Sequence, residues 1–235
     1  GKFRRALSVL DQGIATDREE QVEGWTTIGK HGLKFLIHSE MENLDSAFKE
    51  IELMREIQER VYPEDPIELE DAYAIIWALR GQAATADEVL RNWRESIDEA
   101  NPVLISRYHR VAGMVEFFKG NAEEAITHLR RGLTENSRPL FEARYFLAEA
   151  YLQSGQAEEA ASLLERTLLS HDERRISYPT LSVKAHHLLG KAYQQLGRNK
   201  EAIQQYREFL HIWTNADQGI PEVEDATERL SGLEG

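Results

Sequence analysis

Apolar residues recur three and four positions apart along almost the whole chain, which is the period of an amphipathic helix. No strand-like alternation persists for long. The helical runs come in pairs, and one motif marks each pair: a glycine, four residues, an alanine, three residues and an apolar residue. It occurs as Gly81, Ala86, Leu90, as Gly120, Ala125, Leu129, as Gly155, Ala160, Leu164, and as Gly197, Ala202, Tyr206. A fifth copy puts Glu42 in the glycine position before Ala47 and Ile51, and a sixth opens the chain as Gly1, Ala6, Leu10. The alanines lie 41, 39, 39, 35 and 42 residues apart.

The spacing predicts a lone helix over 3–14 in a partial unit 1–15. Five helix pairs follow, at about 18–60, 67–100, 103–135, 139–170 and 180–213, and a last helix spans 221–231. Small residues pair where two helices must cross closely: Gly113 with Ala125, Ala148 with Ala160, Gly190 with Ala202. Overpacking such a crossing costs roughly 1–3 kcal/mol. The glycines between runs permit the left-handed cap that ends a helix. All six prolines, at 63, 66, 102, 139, 179 and 221, fall at junctions, several where a first helix starts. In the last helix Val223, Ala226, Leu230 and Leu233 share one face. That face is expected to cover the final pair while Glu222, Glu224, Asp225 and Glu228 face water, as a terminal cap does.

Upstream of each alanine lies a second set of residues. His186, Leu189, Gly190 and Tyr193 precede Ala202; Arg144, Leu147, Ala148 and Tyr151 precede Ala160; His109, Ala112, Gly113 and Glu116 precede Ala125. Glu70, Tyr73, Ala74 and Trp77 precede Ala86, and His31, Lys34, Phe35 and His38 precede Ala47. In combination these residues resemble the tetratricopeptide-repeat family, whose helix–turn–helix unit repeats about every 34 residues. The resemblance is carried most by Ala86, Gly113, Gly120, Ala125, Tyr151, Gly155, Ala160, Gly190, Tyr193, Gly197 and Ala202. The family's tryptophan at the first signature position is replaced in every copy. The resemblance implies an all-α fold, a right-handed superhelical solenoid of about five helix pairs with a lone N-terminal helix and a capping helix. The whole of 1–235 would then be one array. Because Gly1 falls in a turn inside a repeat, at least one further helix is expected upstream. The tail from Phe209 to Leu233 resembles the ends of bacterial multidomain proteins with C-terminal arrays of this kind. Some of those carry a Ser/Thr kinase, a DNA-binding regulator or a cyclase.

Charge and composition narrow the function. With 28 basic and 41 acidic residues the net charge is −13, so neither a nucleic-acid binder nor an anionic-membrane binder is expected. Apolar residues at 41% are too many for a disordered chain. Cysteine is absent, which removes disulfides, thiolate metal sites and cysteine nucleophiles. It leaves the compartment open, with the cytoplasm favoured over an extracytoplasmic domain of a larger protein. The longest apolar run, Ala72 to Leu79, is far short of the roughly 18 residues that span a bilayer.

Catalytic signals are poor. GxxxxGK[ST], GxGxxG, HExxH and GxSxG are all missing. Glu123/Glu124 and Glu158/Glu159 open second helices, where acids oppose the helix dipole. His186 and His187 are adjacent, so they diverge by about 100° on a helix. His31 and His38 share a face but stand roughly 10 Å apart along the axis. No catalytic residue, metal site or cofactor is therefore expected.

The resemblance implies a concave groove lined by the first helix of each pair. Off its core side the residues are Glu68, Asp71 and Ile75 in the first of these units, then Arg107, Arg110, Met114 and Phe117. Glu142, Tyr145, Glu149 and Leu152 come next, and then Lys184, His187, Lys191 and Gln194. The charge alternates from unit to unit. The partner-binding set is read as Arg107, Arg110, Met114, Phe117, Tyr145, Glu149, Lys184, His187 and Lys191. An extended segment would set its acids on the arginines and lysines and its apolar groups on Met114, Phe117 and Tyr145. Alternatively these charges pair between neighbouring units, as Arg110 with Glu142 or Glu149 with Lys191. Some members of the family clamp a C-terminal carboxylate with Lys or Arg plus Asn; no Asn stands at the matching places here. The leading expectation is a non-catalytic interaction module for a protein or peptide, another domain of the same polypeptide included. A small-ligand sensor and a structural subunit that self-associates through the exposed first helix are the alternatives. The segment from 170 to 179 is read as an insertion that lengthens its unit.

Overall fold

The computed structural model describes residues 1–64, 68–133, 141–170 and 179–235. The junction prolines Pro66 and Pro139, and the insertion read at 170–179 apart from its two end residues, lie outside the described residues. Within them the chain is all α: twelve helices and no strand.

Two compact units divide the chain, Lys2–Ser96 and Ile97–Gly235, the latter taking in Gly1. The first holds α1 (Phe3–Glu19), α2 (Trp25–Glu40), α3 (Leu44–Val61), α4 (Glu70–Leu79) and α5 (Ala83–Ser96). Here α2 packs on α3 and α4 on α5 as pairs, α3 meets α4, and α1 lies on α2. The second holds α6 (Pro102–Phe118), α7 (Ala122–Gly132), α8 (Phe141–Gln153), α9 (Ala157–Leu169), α10 (Pro179–Gln195), α11 (Asn199–Ile212) and α12 (Pro221–Glu234). Its pairs are α6 with α7, α8 with α9 and α10 with α11. First helix stacks on first helix, α6 on α8 and α8 on α10, each second helix meets the next first helix, and α12 packs on α11 and α10.

The helix ends follow from local chemistry. Asn101 Oδ1 accepts from the amides of Val103 and Leu104 at 3.1 and 3.2 Å, with Pro102 in the first helical turn. This satisfies donors that the start of a helix leaves unpaired. In α7, Glu123 and Glu124 open the helix and Arg130 and Arg131 close it, matching the dipole at both ends. Inside each pair the turn is left-handed at Gly81, Gly120, Gly155 and Gly197, with φ from +71 to +83°. The next amide reaches back to the helix, as from Asn121 to the Glu116 carbonyl at 2.9 Å and from Arg198 to the Tyr193 carbonyl at 2.9 Å. Glu42 holds the same place with φ +56°, and Asn43 makes the same bond to His38. The glycine-free copy thus keeps the turn at the expense of a strained residue.

The repeat alanines Ala47, Ala86, Ala125, Ala160 and Ala202 are all wholly buried. A Cβ on Gly113 would lie 2.6 Å from Leu129 Cγ and 2.9 Å from the Leu129 backbone nitrogen. One on Gly190 would lie 2.6 Å from the ring of Tyr206, itself fully buried.

Three pairs share a polar register mark that sequence reading missed. The histidine at the first signature position bonds through Nδ1 to the residue nineteen positions on: His31 to Glu50 at 2.5 Å, His109 to His128 at 3.0 Å, His186 to Gln205 at 2.8 Å. Each spans first helix to second helix where the family has tryptophan. His31 is buried and His109 and His186 are half-buried, so a sliding of one helix on the other would break bonds that water does not fully replace.

One expectation is corrected. The first helix runs to Glu19 rather than 14, and α2 starts at Trp25 rather than 18. α1 also lies against α2: Asp17, buried, accepts from the Thr27 hydroxyl and Lys30 Nζ on α2, each at 2.6 Å. Those partners hold the last turn of α1 where its apolar period has already stopped, so periodicity ends the helix too early.

Three substitutions test the turns and the close crossing. Glu42→Gly should raise stability to urea by about 1 kcal/mol, and Gly120→Ala should lower it by a similar amount, through the left-handed turn alone. Gly113→Ala should cost roughly 1–3 kcal/mol because backbone atoms of α7 cannot move aside. Equal stability of Gly113→Ala and the parent in chemical denaturation would refute the close crossing.

Candidate functional site

The sequence-assigned groove residues of Ile97–Gly235 sit on first helices α6, α8 and α10 as expected, but in unequal surroundings. Arg107, Arg110, Met114 and Phe117 on α6 are half-buried. Phe117 belongs to an aromatic cluster, with ring centroids 5.6 Å from Phe146 and 5.5 Å from Phe118; Phe118 and Phe146 stand 5.4 Å apart. Met114 and Phe117 pack against the core of Ala125, Leu129, Ala143 and Leu147 while keeping part of their surface open. On α8, Tyr145 is buried with its ring edge-on to Phe146, Leu152 is buried, and Glu142 and Glu149 are half-buried. Stacking of α6 on α8 therefore brings Met114, Phe117 and the Tyr145–Phe146 pair together.

Lys184 and His187 do not line an open surface. They are 8% and 5% exposed, because α12 covers them. Lys184 Nζ meets Glu222 at 2.6 Å, and His187 Nε2 donates to Asp225 Oδ2 at 2.6 Å. Arg229 donates to the same Asp225 oxygen at 2.7 Å and to Gln194 Oε1 at 3.0 Å. Glu222 and Asp225 were expected to face water, as Glu224 and Glu228 do; instead both turn to α10. The reason is that the buried Lys184 ammonium and the His187 ring N–H on α10 need acceptors, which an apolar-face argument for α12 leaves out. Lys191 stays half-buried on the next turn of α10.

Burial holds the His187 imidazole below its ordinary value, against the pull of Asp225 and with the Lys191 charge adding to it. Burial pushes the Asp225 carboxyl up, but hydrogen bonds from Arg229 and His187 together outweigh it and hold it below the usual range. Burial also drives the Tyr206 phenol beneath α12 up to about 12.

Residues Lys2–Ser96 carry features that the sequence did not single out. Glu50, buried, accepts from His31 and from Lys34 Nζ at 2.7 Å, with His38 Nε2 at 3.9 Å; Lys34 also meets Asp11 of α1 at 2.9 Å. So His31 and His38 do converge, though on a carboxylate between them. No group of three or more metal-ligating side chains is present among the described residues. On the outer side of α2, Trp25, Leu33 and Leu36 are 50, 47 and 38% exposed. Their spacing puts them on one face with Gly29, whose Cβ position is open space.

A depression of about 510 Å³ lies between α7, α8 and α9, walled by Arg130 and Arg166 against Glu158 and Glu159. Its charges balance, so it selects no ligand sign.

Stacked antiparallel helix pairs, each closed on an alanine and turned by a left-handed residue, define a helical-repeat scaffold. Models of the tetratricopeptide repeat match residues 119–178 and 183–212. Residues 119–178 and 183–212 are therefore tetratricopeptide repeats, and the helix pairs before them have the same form. Among solved structures it is similar to BtubC (BKLC) from P. vanneervenii, at 13% identity and a TM-score of 0.54 over 99% of this chain and 83% of that one. It is similar also to the apo form of RapI, at 15% identity and 0.52 over 99% and 70%. These likenesses show the fold. Comparison with curated protein sequences finds no match. No helix among the described residues is long and apolar enough to cross a membrane.

The His187 site makes a pH prediction. A histidine lowered in the folded state contributes stability that is complete above its ordinary 6.5 and is lost as pH falls from there through the folded value. Stability to urea should therefore fall between pH 7.5 and 5.5, and His187→Gln should make the fall smaller. An unchanged pH slope in the variant would contradict the burial argument.

Proposed function

We propose that this repeat protein binds a segment of another protein, or of its own longer polypeptide, along α6 and α8. The observation that carries the reading is the half-open apolar cluster of Met114 and Phe117 against Phe146, beside Arg107 and Arg110 on the same first helix. Apolar side chains of the segment would enter beside Phe117 and Met114, where aromatic surface gives most binding energy per contact. Its carboxylates would meet the two arginines, and Glu149 and Lys191 would set its register by charge. The resemblance of the Phe209–Leu233 tail to bacterial arrays supports membership of a larger signalling or regulatory protein. In that setting the array reports a bound partner to a domain elsewhere in the polypeptide.

Self-association is the second reading. It rests on exposed apolar residues gathered in Lys2–Ser96: Val9, Val22, Trp25, Leu33 and Leu36.

A displayed random peptide library panned on the full chain tests the first reading. Acidic peptides with aromatic or aliphatic residues should be enriched. Their affinity should fall by about tenfold or more in Met114→Lys and in Arg107→Glu, a loss of about 1.4 kcal/mol. Enriched peptides that bind both variants like the parent would rule the α6–α8 surface out. For the second reading, sedimentation velocity should show a concentration-dependent dimer that Leu33→Ser weakens; a monomer at every concentration would remove it.

A further inference from the structure

The chemistry of α12 and the surface beneath it points to more than a fixed end-piece. In a chain of net charge −13, α10 contains no Asp or Glu at all, while carrying Lys184, Lys191, His186 and His187. The helix that lies on it, α12, is acidic, with Glu222, Glu224, Asp225, Glu228 and Glu234 against Arg229 alone. The side-chain contacts that Glu222 and Asp225 make from α12 to α10 are ionic, while the main packing of α12 is on α11. Only Ala226 of α12 is fully buried, with Val223, Leu230 and Leu233 half-buried, whereas Glu222 meets Lys184 and Asp225 meets His187. The two carboxylates stand three residues apart on α12, as their two partners do on α10, so one face of one helix reads one face of the other. The outer pair, Arg207 with Glu234, is largely exposed and adds little. The connection from α11 to α12 includes Gly219 at φ +79°.

We propose that this end of the α10–α11 pair is a docking site for an acidic helix, which α12 fills in cis and an acidic helix of a partner protein fills in its place. The partner helix presents carboxylates at positions i and i+3, a small residue at i+4 and an arginine at i+7, as Glu222, Asp225, Ala226 and Arg229 do. Charge gives the selection: a neutral or basic helix would forgo the contacts that Glu222 and Asp225 make with Lys184 and His187. With Ala226 the one fully buried residue of α12, exchange requires breaking the two ion pairs and a small apolar contact with α11. Competition with α12 lowers the apparent affinity of the partner by the fraction of time the site is closed. The surface is separate from the α6–α8 cluster, so this inference extends the interaction reading to a second site.

The test uses the full chain carrying Glu222→Lys and Asp225→Lys, and a fluorescent peptide with the native sequence of residues 219–235. In fluorescence anisotropy the peptide should bind this variant one to one. It should bind the parent chain more weakly by about tenfold or more, because there α12 competes. Added salt should weaken the complex, and adding Lys184→Glu to the variant should abolish it. The milder Glu222→Gln, Asp225→Asn chain, checked for helix content by circular dichroism, should bind at an intermediate level. Failure of the peptide to bind either helical variant would overturn the proposal, and so would equal binding to the parent and both variants. Peptides that still select the α6–α8 surface in the library experiment would then leave the first reading standing while this one falls.

Discussion

Everything else in the structure hangs on how closely the two helices of a pair approach. At Gly113 the backbone of α7 comes within 2.9 Å of where a Cβ would be, and at Gly190 the Tyr206 ring comes within 2.6 Å. The residues met, Leu129 and Tyr206, have no exposed surface, and neither do Ala125 and Ala202 one helical turn before them. A crossing this tight fixes the depth at which each second helix sits, and so fixes which side of the first helix is left for stacking on the next. Small residues therefore determine geometry at a distance from themselves, because packed interiors transmit a displacement rather than absorb it.

Close approach sets depth but not sliding. The polar bonds from His31, His109 and His186 to residues nineteen places on supply the missing constraint in three pairs. A tryptophan there would present one N–H donor, whereas an imidazole can both donate and accept. The three partners differ in charge, from carboxylate to imidazole to amide, so the geometry is common to the pairs while the electrostatics is not. In Lys2–Ser96 the carboxylate partner, Glu50, also gathers Lys34 and, through it, Asp11 of α1. A polar network thereby does for α1 what apolar stacking does for the helices of Ile97–Gly235.

Charge organises the second unit in the same way. α10 lacks acids and α12 is rich in them, so covering α10 gives Lys184 a counter-charge and His187 an acceptor rather than merely hiding apolar surface. At α6 and α8 the covering is apolar and incomplete, and Met114 and Phe117 keep open surface there. The two ends of one stack of first helices thus offer different chemistries, one aromatic and one ionic, on a scaffold of one repeated form.

The sequence by itself determined the helix pairs, their alanine crossings and their left-handed turns, because each depends on a residue and its near neighbours. Gly81, Gly120, Gly155 and Gly197 have φ from +71 to +83°, as their position between two runs demands. Pro102, Pro179 and Pro221 open helices for an equally local reason. The sequence also placed the groove residues on first helices, since helical period assigns faces. Only the tertiary structure decided which of them are open. Lys184 and Lys191 are alike in sequence terms, yet Lys184 is buried with Glu222 of α12 upon it and Lys191 is half-buried. The length of α1 and the inward turn of Glu222 and Asp225 were beyond periodicity for the same reason. A charged side chain is aimed by a counter-charge on another helix, and no local pattern records where that helix will lie.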